Sequence, residues 1–198
     1  MALKLTAAPA VEPVTLAEAR LFLRLEDEAG PEDALLSGLI AAARRQAEII
    51  TRRQLITASW ELRLDRFPEI IYLPLPPLQS VTTFKYLDAA GAEKSLTENT
   101  HFLVDIYSEP ARITPAYGEV WPPIYPVMNA VRLVFKAGYG AAGSTVPESI
   151  RNWIKAMVAT LYEHREIDIV ANVTQALTHL QFLDGLLDDY RVFGLEAD

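Results

Sequence analysis

Hydrophobic residues recur at helical spacing near both ends of the chain. A capping-box pattern at Thr15 and Glu18 precedes apolar positions that continue to about Leu25. A longer apolar face follows Pro31 and consists of Leu35, Leu36, Leu39, Ile40, Ala43, Ala47 and Ile50. The three- and four-residue spacing of these positions predicts a long amphipathic helix that ends near Thr51.

The C-terminal part shows the same periodicity. A second capping-box pattern runs from Thr145 to Glu148. The apolar positions that share one helical face after it are Ile150, Ile154, Met157, Val158, Leu161 and Tyr162. They predict a helix to about His164. A weaker helical stretch after Ile167 contains Ala176, Leu177, Leu180, Leu183 and Leu187, although Gly185 within it costs about 1 kcal/mol relative to alanine.

The middle of the chain follows a different pattern. Nine of the thirteen prolines fall within residues 57–142, and proline breaks helix interiors. Trp60, Leu62 and Leu64 alternate with polar residues, which is typical of a half-buried strand. Further strands are predicted at 70–73, 81–87, 93–96, 102–105, 111–114 and 131–137, with a hairpin turn at Ala89 to Gly91.

These patterns predict an α+β fold. The N- and C-terminal helices are expected to pack together as a small helical bundle, because neither apolar face can be buried alone. Residues 1–56 and 143–198 would form this helical core. Residues 57–142 would form an inserted antiparallel β module.

Composition narrows the function classes. Of the 198 residues, 51% are hydrophobic and 22% are charged, as in folded globular proteins. The net charge of −8 argues against a protein that grips nucleic acid through its phosphates. There is no cysteine for a disulfide or thiolate site, no apolar run long enough to span a membrane, and no signal-peptide core at the N-terminus. We therefore expect a soluble, intracellularly made protein.

Catalytic patterns are largely missing. His101, His164 and His179 form no spaced metal-binding pair, and the glycines from Gly138 to Gly143 match a phosphate loop only loosely. The acidic pair Asp188 and Asp189 is typical of a solvated helix end, as is the acidic run at residues 26–28. We expect no catalytic residue, no metal and no cofactor, and hence a protein that is not an enzyme.

Two kinds of segment are candidates for contacts between subunits. Arg44, Arg45, Arg52 and Arg53 concentrate positive charge on the second helix, and this face could be solvated, could contact another subunit, or could bind nucleic acid. The proline-rich segments 73–78 and 121–126, the latter with Trp121 and Tyr125, could be contact loops or rigid connections between strands.

Several segments, taken in order, resemble one family of phage proteins. They are residues 13–19 (PVTLAEA), 32–36 (EDALL), 39–44 (LIAAAR), 51–55 (TRRQL) with Trp60, 71–81 (IYLPLPPLQSV), 135–140 (FKAGYG), 146–150 (VPESI), 161–166 (LYEHRE) and 186–192 (LLDDYRV). The chain resembles the head–tail connector, or head-completion adaptor, family of tailed phages, prophages and gene transfer agents. The resemblance covers about residues 15–192, with a more polar stretch at 168–183 than the family's usual short link.

The resemblance implies a structural part of the virion or phage-like particle, located at the head–tail junction and made in the bacterial cytoplasm. Members assemble as a ring under the portal protein, follow its twelve-fold symmetry, and present a docking surface for the next connector or tail component. DNA would be only a passing duplex in the channel, and no membrane would be involved. The family core is a helical bundle, and longer members carry a β insertion.

The resemblance also suggests a portal contact. In related connectors the C-terminal segment faces the portal, which makes Tyr190, Arg191, Val192 and Phe193 the candidate portal contacts here. An alternative function is a small-ligand or carbohydrate-binding module on the β insertion, with Trp60, Tyr86, Tyr107 and Trp121 as its stacking surface.

Overall fold

The computed structural model describes residues 1–25, 30, 32–163, 183 and 185–193. These residues belong to two compact units. The described residues of the helical unit lie within 11–25, 30, 32–56, 140–163, 183 and 185–191, and those of the sheet unit within 1–10, 57–139 and 192–193. Each unit thus combines stretches that are far apart in the sequence.

The helical unit contains the helices α1 (Leu16–Leu23), α2 (Asp33–Thr51) and α3 (Glu148–Glu163). Short 3-10 helices span Gly143–Thr145 and Gly185–Tyr190. The predicted capping box of α1 is confirmed, because the Glu18 backbone N–H donates to Thr15 Oγ1 and the Thr15 N–H donates to the Glu18 carboxylate. The α2 and α3 helices contribute many of the fully buried side chains of this unit, among them Leu36, Ile150, Trp153, Ile154 and Val158.

The described part of the sheet unit contains eight strands: β1 (Ala2–Ala7), β2 (Ala58–Leu64), β3 (Ile71–Leu73), β4 (Leu78–Leu87), β5 (Glu93–Ser95), β6 (Phe102–Asp105), β7 (Ala111–Pro115) and β8 (Val131–Ala137). One sheet has the order β1-β2-β8-β4-β5 and the other has the order β3-β7-β6. Every neighbouring pair is antiparallel. The predicted strands in the middle of the chain are confirmed, and so is the hairpin turn, in which Asp88 accepts from Ala90 and Ala92.

One face of the five-stranded sheet supplies much of the core of its unit. Cross-strand pairing places Leu62 opposite Leu133 and Phe84 on the next strand, and all three are buried. Ile71 and Ile113 from the three-stranded sheet belong to the same apolar cluster. Because side chains alternate along a strand, the other face of the five-stranded sheet carries the polar residues between these positions.

The predicted fold class is wrong. The described chain is rich in sheet, with eight strands in two antiparallel sheets and three α-helices, and is not a helical bundle with an inserted β module. The first difference is β1, because residues 2–7 pair with β2 in a stretch that was assigned to helices. Its short alternation of Leu3, Lys4 and Leu5 is too brief to separate from an irregular terminus by sequence alone.

The structure also differs from the α-helical stretch predicted near the C-terminus. Residues Gly185–Tyr190 form a 3-10 helix where the predicted α-helical stretch ended, and Gly185 opens this turn. Such short, tight helices satisfy few backbone groups and carry no strong periodic pattern. The predicted helical positions Ala176, Leu177 and Leu180 lie outside the described residues.

We expect the apolar contact of α3 to dominate the stability of the helical unit. Ile154→Ala should lower the free energy of unfolding by about 2–5 kcal/mol, because the side chain is fully buried and its removal leaves a cavity. Leu161→Ala, on the same helix but 37% exposed, is the matched control and should change it by about 0.5 kcal/mol. Urea unfolding followed by circular dichroism at a helical wavelength measures both, and equal losses would contradict this account.

Candidate interaction surfaces

The four arginines singled out on α2 and after it divide into two pairs. The Arg44 side chain is mostly buried, and its guanidinium binds Glu12 at 2.7 Å and Glu48 at 2.8 Å. Arg53 is buried, and its Nε donates to the backbone oxygen of Tyr190 at 2.6 Å. Arg45 and Arg52 are exposed, although Arg45 also lies 3.7 Å from the Glu48 carboxylate, so of the four arginines these two can present charge to another molecule.

Glu48 accepts three hydrogen bonds near the end of α2 and is itself buried. Its carboxylate accepts from Arg44, from the Gln54 side-chain amide at 2.7 Å and from the Leu55 backbone N–H at 3.3 Å. Burial raises the pKa of Glu48 above its ordinary value, although Arg44 and the Leu55 N–H act in the opposite direction. Glu48 therefore holds the turn that follows α2, and the arginine beside it is a structural partner.

The two aromatic side chains of the proline-rich segment 121–126 differ in their exposure to solvent. Trp121 is stacked on Phe67 with ring centroids 4.8 Å apart, and its indole N–H donates to the Glu69 backbone oxygen at 3.4 Å. The backbone N–H of Tyr125 donates to Leu87, whereas the Tyr125 side chain is 45% exposed. Of the two candidate contacts here, Tyr125 is the one available on the surface.

The candidate portal segment is anchored at its start and exposed at its end. The Tyr190 carbonyl is held by Arg53, and Arg191 lies 3.0 Å from the Asp188 carboxylate. Val192 is buried, whereas Phe193 is 78% exposed. An apolar ring with this exposure is the residue in the segment that is free to anchor a partner.

The aromatic residues of the alternative ligand-binding surface do not share one exposed platform. Trp60, Tyr86 and Trp121 are partly buried and pack against the apolar cluster of the sheet unit. Tyr107 is 95% exposed and lies beyond β6. Three of the four side chains therefore serve the packing of their own unit.

The described part of the chain brings no metal-binding group of side chains together. No group of three acidic, histidine or cysteine side chains there could hold a metal ion. His101 accepts a hydrogen bond from the Thr97 backbone N–H through Nδ1, while His164 and His179 lie outside the described residues. Among the described helices, none is long and apolar enough to cross a bilayer.

The polar face of the five-stranded sheet was missed by sequence reasoning. Glu61, whose side chain is 7% exposed, accepts from Arg63 Nε and from Arg132 Nε, each at 2.6 Å. The hydrogen bond from Arg63, followed by that from Arg132, lowers the pKa of Glu61 despite its burial. The alternation in β2 placed Glu61 and Arg63 on one face, but only the register between β2 and β8 brings Arg132 to them.

The chain is similar in structure to chains of gene transfer agent particles. Neither a family model nor a curated protein matches the chain. A chain of the structure described as the virion of a native gene transfer agent particle matches with a TM-score of 0.78 and 27% identity, covering 100% of this chain and 99% of that one. A chain from the neck of the empty particle, computed with C6 symmetry, gives 0.78 and 28% over the same coverage. A chain from the neck of the native particle, computed with C12 symmetry, gives 0.75 and 26%, again with the same coverage.

The chain is thus similar over its whole length to virion and neck components of a phage-like particle. The localisation predicted from the sequence, in a virion or phage-like particle, agrees with this finding. The similarity covers both the helical and the sheet unit, since it extends over all of the chain. A structural role in the neck of such a particle is the class of function that the comparisons support.

Removal of the Glu48 carboxylate should destabilise the protein. We expect Glu48→Ala to cost about 2–4 kcal/mol, because Arg44, Gln54 and the Leu55 N–H would lose a buried acceptor. Glu48→Gln should cost less, since the amide oxygen still accepts. Chemical denaturation of both variants beside Glu163→Ala, an exposed position on α3, provides the test. A loss in Glu48→Ala no larger than in the control would show that the network is dispensable.

Proposed function

We propose that the protein is a head–tail adaptor of a phage or phage-like particle. It binds as a ring under the portal, extends the channel through which DNA passes, and offers the docking surface for the next connector or tail component. The observation that carries the proposal is the full-length similarity to virion and neck chains of a gene transfer agent, at 26–28% identity and TM-scores of 0.75–0.78.

The proposed ring has twelve copies. One similar neck was computed with C12 symmetry and another with C6 symmetry, and a twelve-membered ring is compatible with both. A cyclic ring requires heterologous contacts, in which two different faces of one subunit meet. The role is structural and non-enzymatic, so the functional residues are those that contact neighbours rather than a substrate.

Three exposed positions are the proposed contacts with neighbours. Arg45 and Arg52 present charge at the end of α2, and Tyr125 presents an aromatic side chain from its proline-rich segment. Phe193 is the proposed anchor on the portal. Arg44, Arg53 and Val192 support these positions from inside the chain, because their side chains are buried or ion-paired within it.

The net charge of −8 suits a ring through which a duplex must slide. Strong positive charge around the channel would hold the phosphates and slow the passage of DNA. We therefore propose that DNA is a passing occupant of the channel and contributes little to the assembly of the ring.

The portal experiment uses the portal protein encoded in the same genomic neighbourhood. Mixed with it, the full chain should give a stoichiometric ring that native mass measurement and negative-stain imaging detect. Phe193→Asp should lose most of this binding, because a charge replaces an exposed apolar anchor. Phe22→Asp, at another exposed phenylalanine, is the control and should bind normally. Absence of wild-type binding would refute the adaptor proposal.

Charge reversal tests the arginine contact. We expect Arg45→Glu with Arg52→Glu to reduce the number of subunits per portal, since both side chains are exposed. Because Arg45 also lies 3.7 Å from the buried Glu48 carboxylate, circular dichroism must show that this variant keeps its fold. The control reverses Arg24 and Arg66, which are also exposed; Arg24, like Arg52, follows a helix with positive φ. Full rings from the Arg45 and Arg52 variant would exclude these arginines from the subunit contact.

A further inference from the structure

One face of the five-stranded sheet gathers an unusual share of the positive charge. Cross-strand register places Lys4, Arg63, Lys85, Arg132 and Lys136 on the side of the sheet opposite the apolar core. We name these five residues the basic sheet face. The Arg63 and Arg132 side chains are 44% and 43% exposed, and Lys4 and Lys136 are exposed as well.

Three of these cations stand directly side by side. Arg63 on β2 is paired with Arg132 on β8, and Arg132 is paired with Lys85 on β4. Like charges opposite each other on neighbouring strands destabilise a sheet. Glu61 and Glu93 offset part of this repulsion, the latter by accepting from Lys85 at 2.6 Å. A net positive face remains after both carboxylates are counted.

Glu61 also orients the two guanidinium groups. It engages each arginine through Nε, at 2.6 Å in both cases, and within the described residues the terminal nitrogens of the two groups form no hydrogen bond, although Glu93 also attracts Arg132. A guanidinium fixed in this way presents a planar pair of donors that suits a carboxylate. The geometry is thus prepared for an anionic group that the described part of this subunit does not supply.

The rest of the same chain offers such groups in excess. The basic sheet face with its two carboxylates accounts for 5 of the 18 basic and 2 of the 26 acidic residues. The remaining sequence therefore has 13 basic against 24 acidic residues. Residues 143–198 alone contain 4 basic and 9 acidic side chains. A second copy of this chain is consequently a partner with complementary charge.

We propose that the basic sheet face is the cationic half of a contact between two copies of this chain, and that acidic side chains of the neighbouring copy complete it. The inference rests on the proposed ring, in which every copy uses one face of each kind. It adds a second charged surface to the one at Arg45 and Arg52, on the other unit of the chain.

Duplex DNA suits this face less well than a second copy does. The positions between the cations are Ser59, Thr83 and Val134, so the face has no aromatic side chain on which a base could stack. Five cations offset by two carboxylates are also few for a contact based on phosphates, and the chain as a whole is acidic. DNA binding is therefore the competing outcome of the experiment.

The experiment measures subunits per portal and, separately, self-association of the full chain by sedimentation at low and high salt. Arg63→Glu with Arg132→Glu should weaken association between copies at least tenfold and remove its salt dependence. Because these changes leave Glu61 without donors, Lys4→Gln with Lys136→Glu serves as a second variant, which keeps both arginine donors of Glu61 and places no carboxylate at the strand position opposite it. Arg66→Glu with Lys94→Glu, off this face, is the control with the same charge change as the arginine variant.

The outcomes separate this inference from the adaptor proposal. Full rings and unchanged self-association in both face variants would overturn the inference while leaving the adaptor proposal intact. Absence of wild-type portal binding would refute the adaptor proposal, and sedimentation of the chain alone would then decide the inference. A wild-type chain that stays monomeric in both measurements would overturn it. Binding of a fluorescent duplex at low salt, lost in the face variants but not in the control, would overturn it in favour of nucleic acid.

Discussion

The helical unit depends on one connection between two distant stretches of sequence. Arg151 on α3 donates to the Pro13 backbone oxygen at 3.0 Å, and its guanidinium also binds Glu18 of α1 and Glu148 of its own helix. The side chain is only 14% exposed, so these contacts are partly shielded from water. The stretch that contains α3 must therefore return to the stretch that contains α1 before this unit is complete.

Apolar burial and polar contacts reinforce this connection. Leu36 of α2 and Ile154 of α3 are fully buried, and the Tyr162 hydroxyl donates to Glu32 at 2.5 Å. Arg53 ties the turn after α2 to Tyr190. Because burial of apolar area supplies most of the stability and hydrogen bonds fix the geometry, we expect the first half of this unit to be unstable without the second.

The sequence predicted the local elements better than their arrangement. Periodicity located α2 and α3, and alternation located β2, because both signals extend over several turns or residue pairs. The strand β1 was missed since its partner, β2, lies more than fifty residues away. The fold class failed for the same reason, because sheet order and register depend on pairings that no local pattern contains.

The candidate contacts show the same limit. Four arginines near the end of α2 look equivalent in the sequence, but the fold uses Arg44 and Arg53 internally and leaves Arg45 and Arg52 outside. Trp121 and Tyr125 also look equivalent in the sequence, but in the structure Trp121 is stacked on Phe67 and the Tyr125 side chain is exposed. The basic sheet face could not be found at all without the register between β2, β8 and β4. Placement of charge thus follows from tertiary structure.

Electron cryomicroscopy of particles made by cells that express this chain would show directly whether the chain forms part of the neck. The account predicts a ring of copies at the junction of head and tail, with the described helices and strands fitting the density. Absence of the chain from purified particles, or its location in the capsid shell or the distal tail, would contradict it.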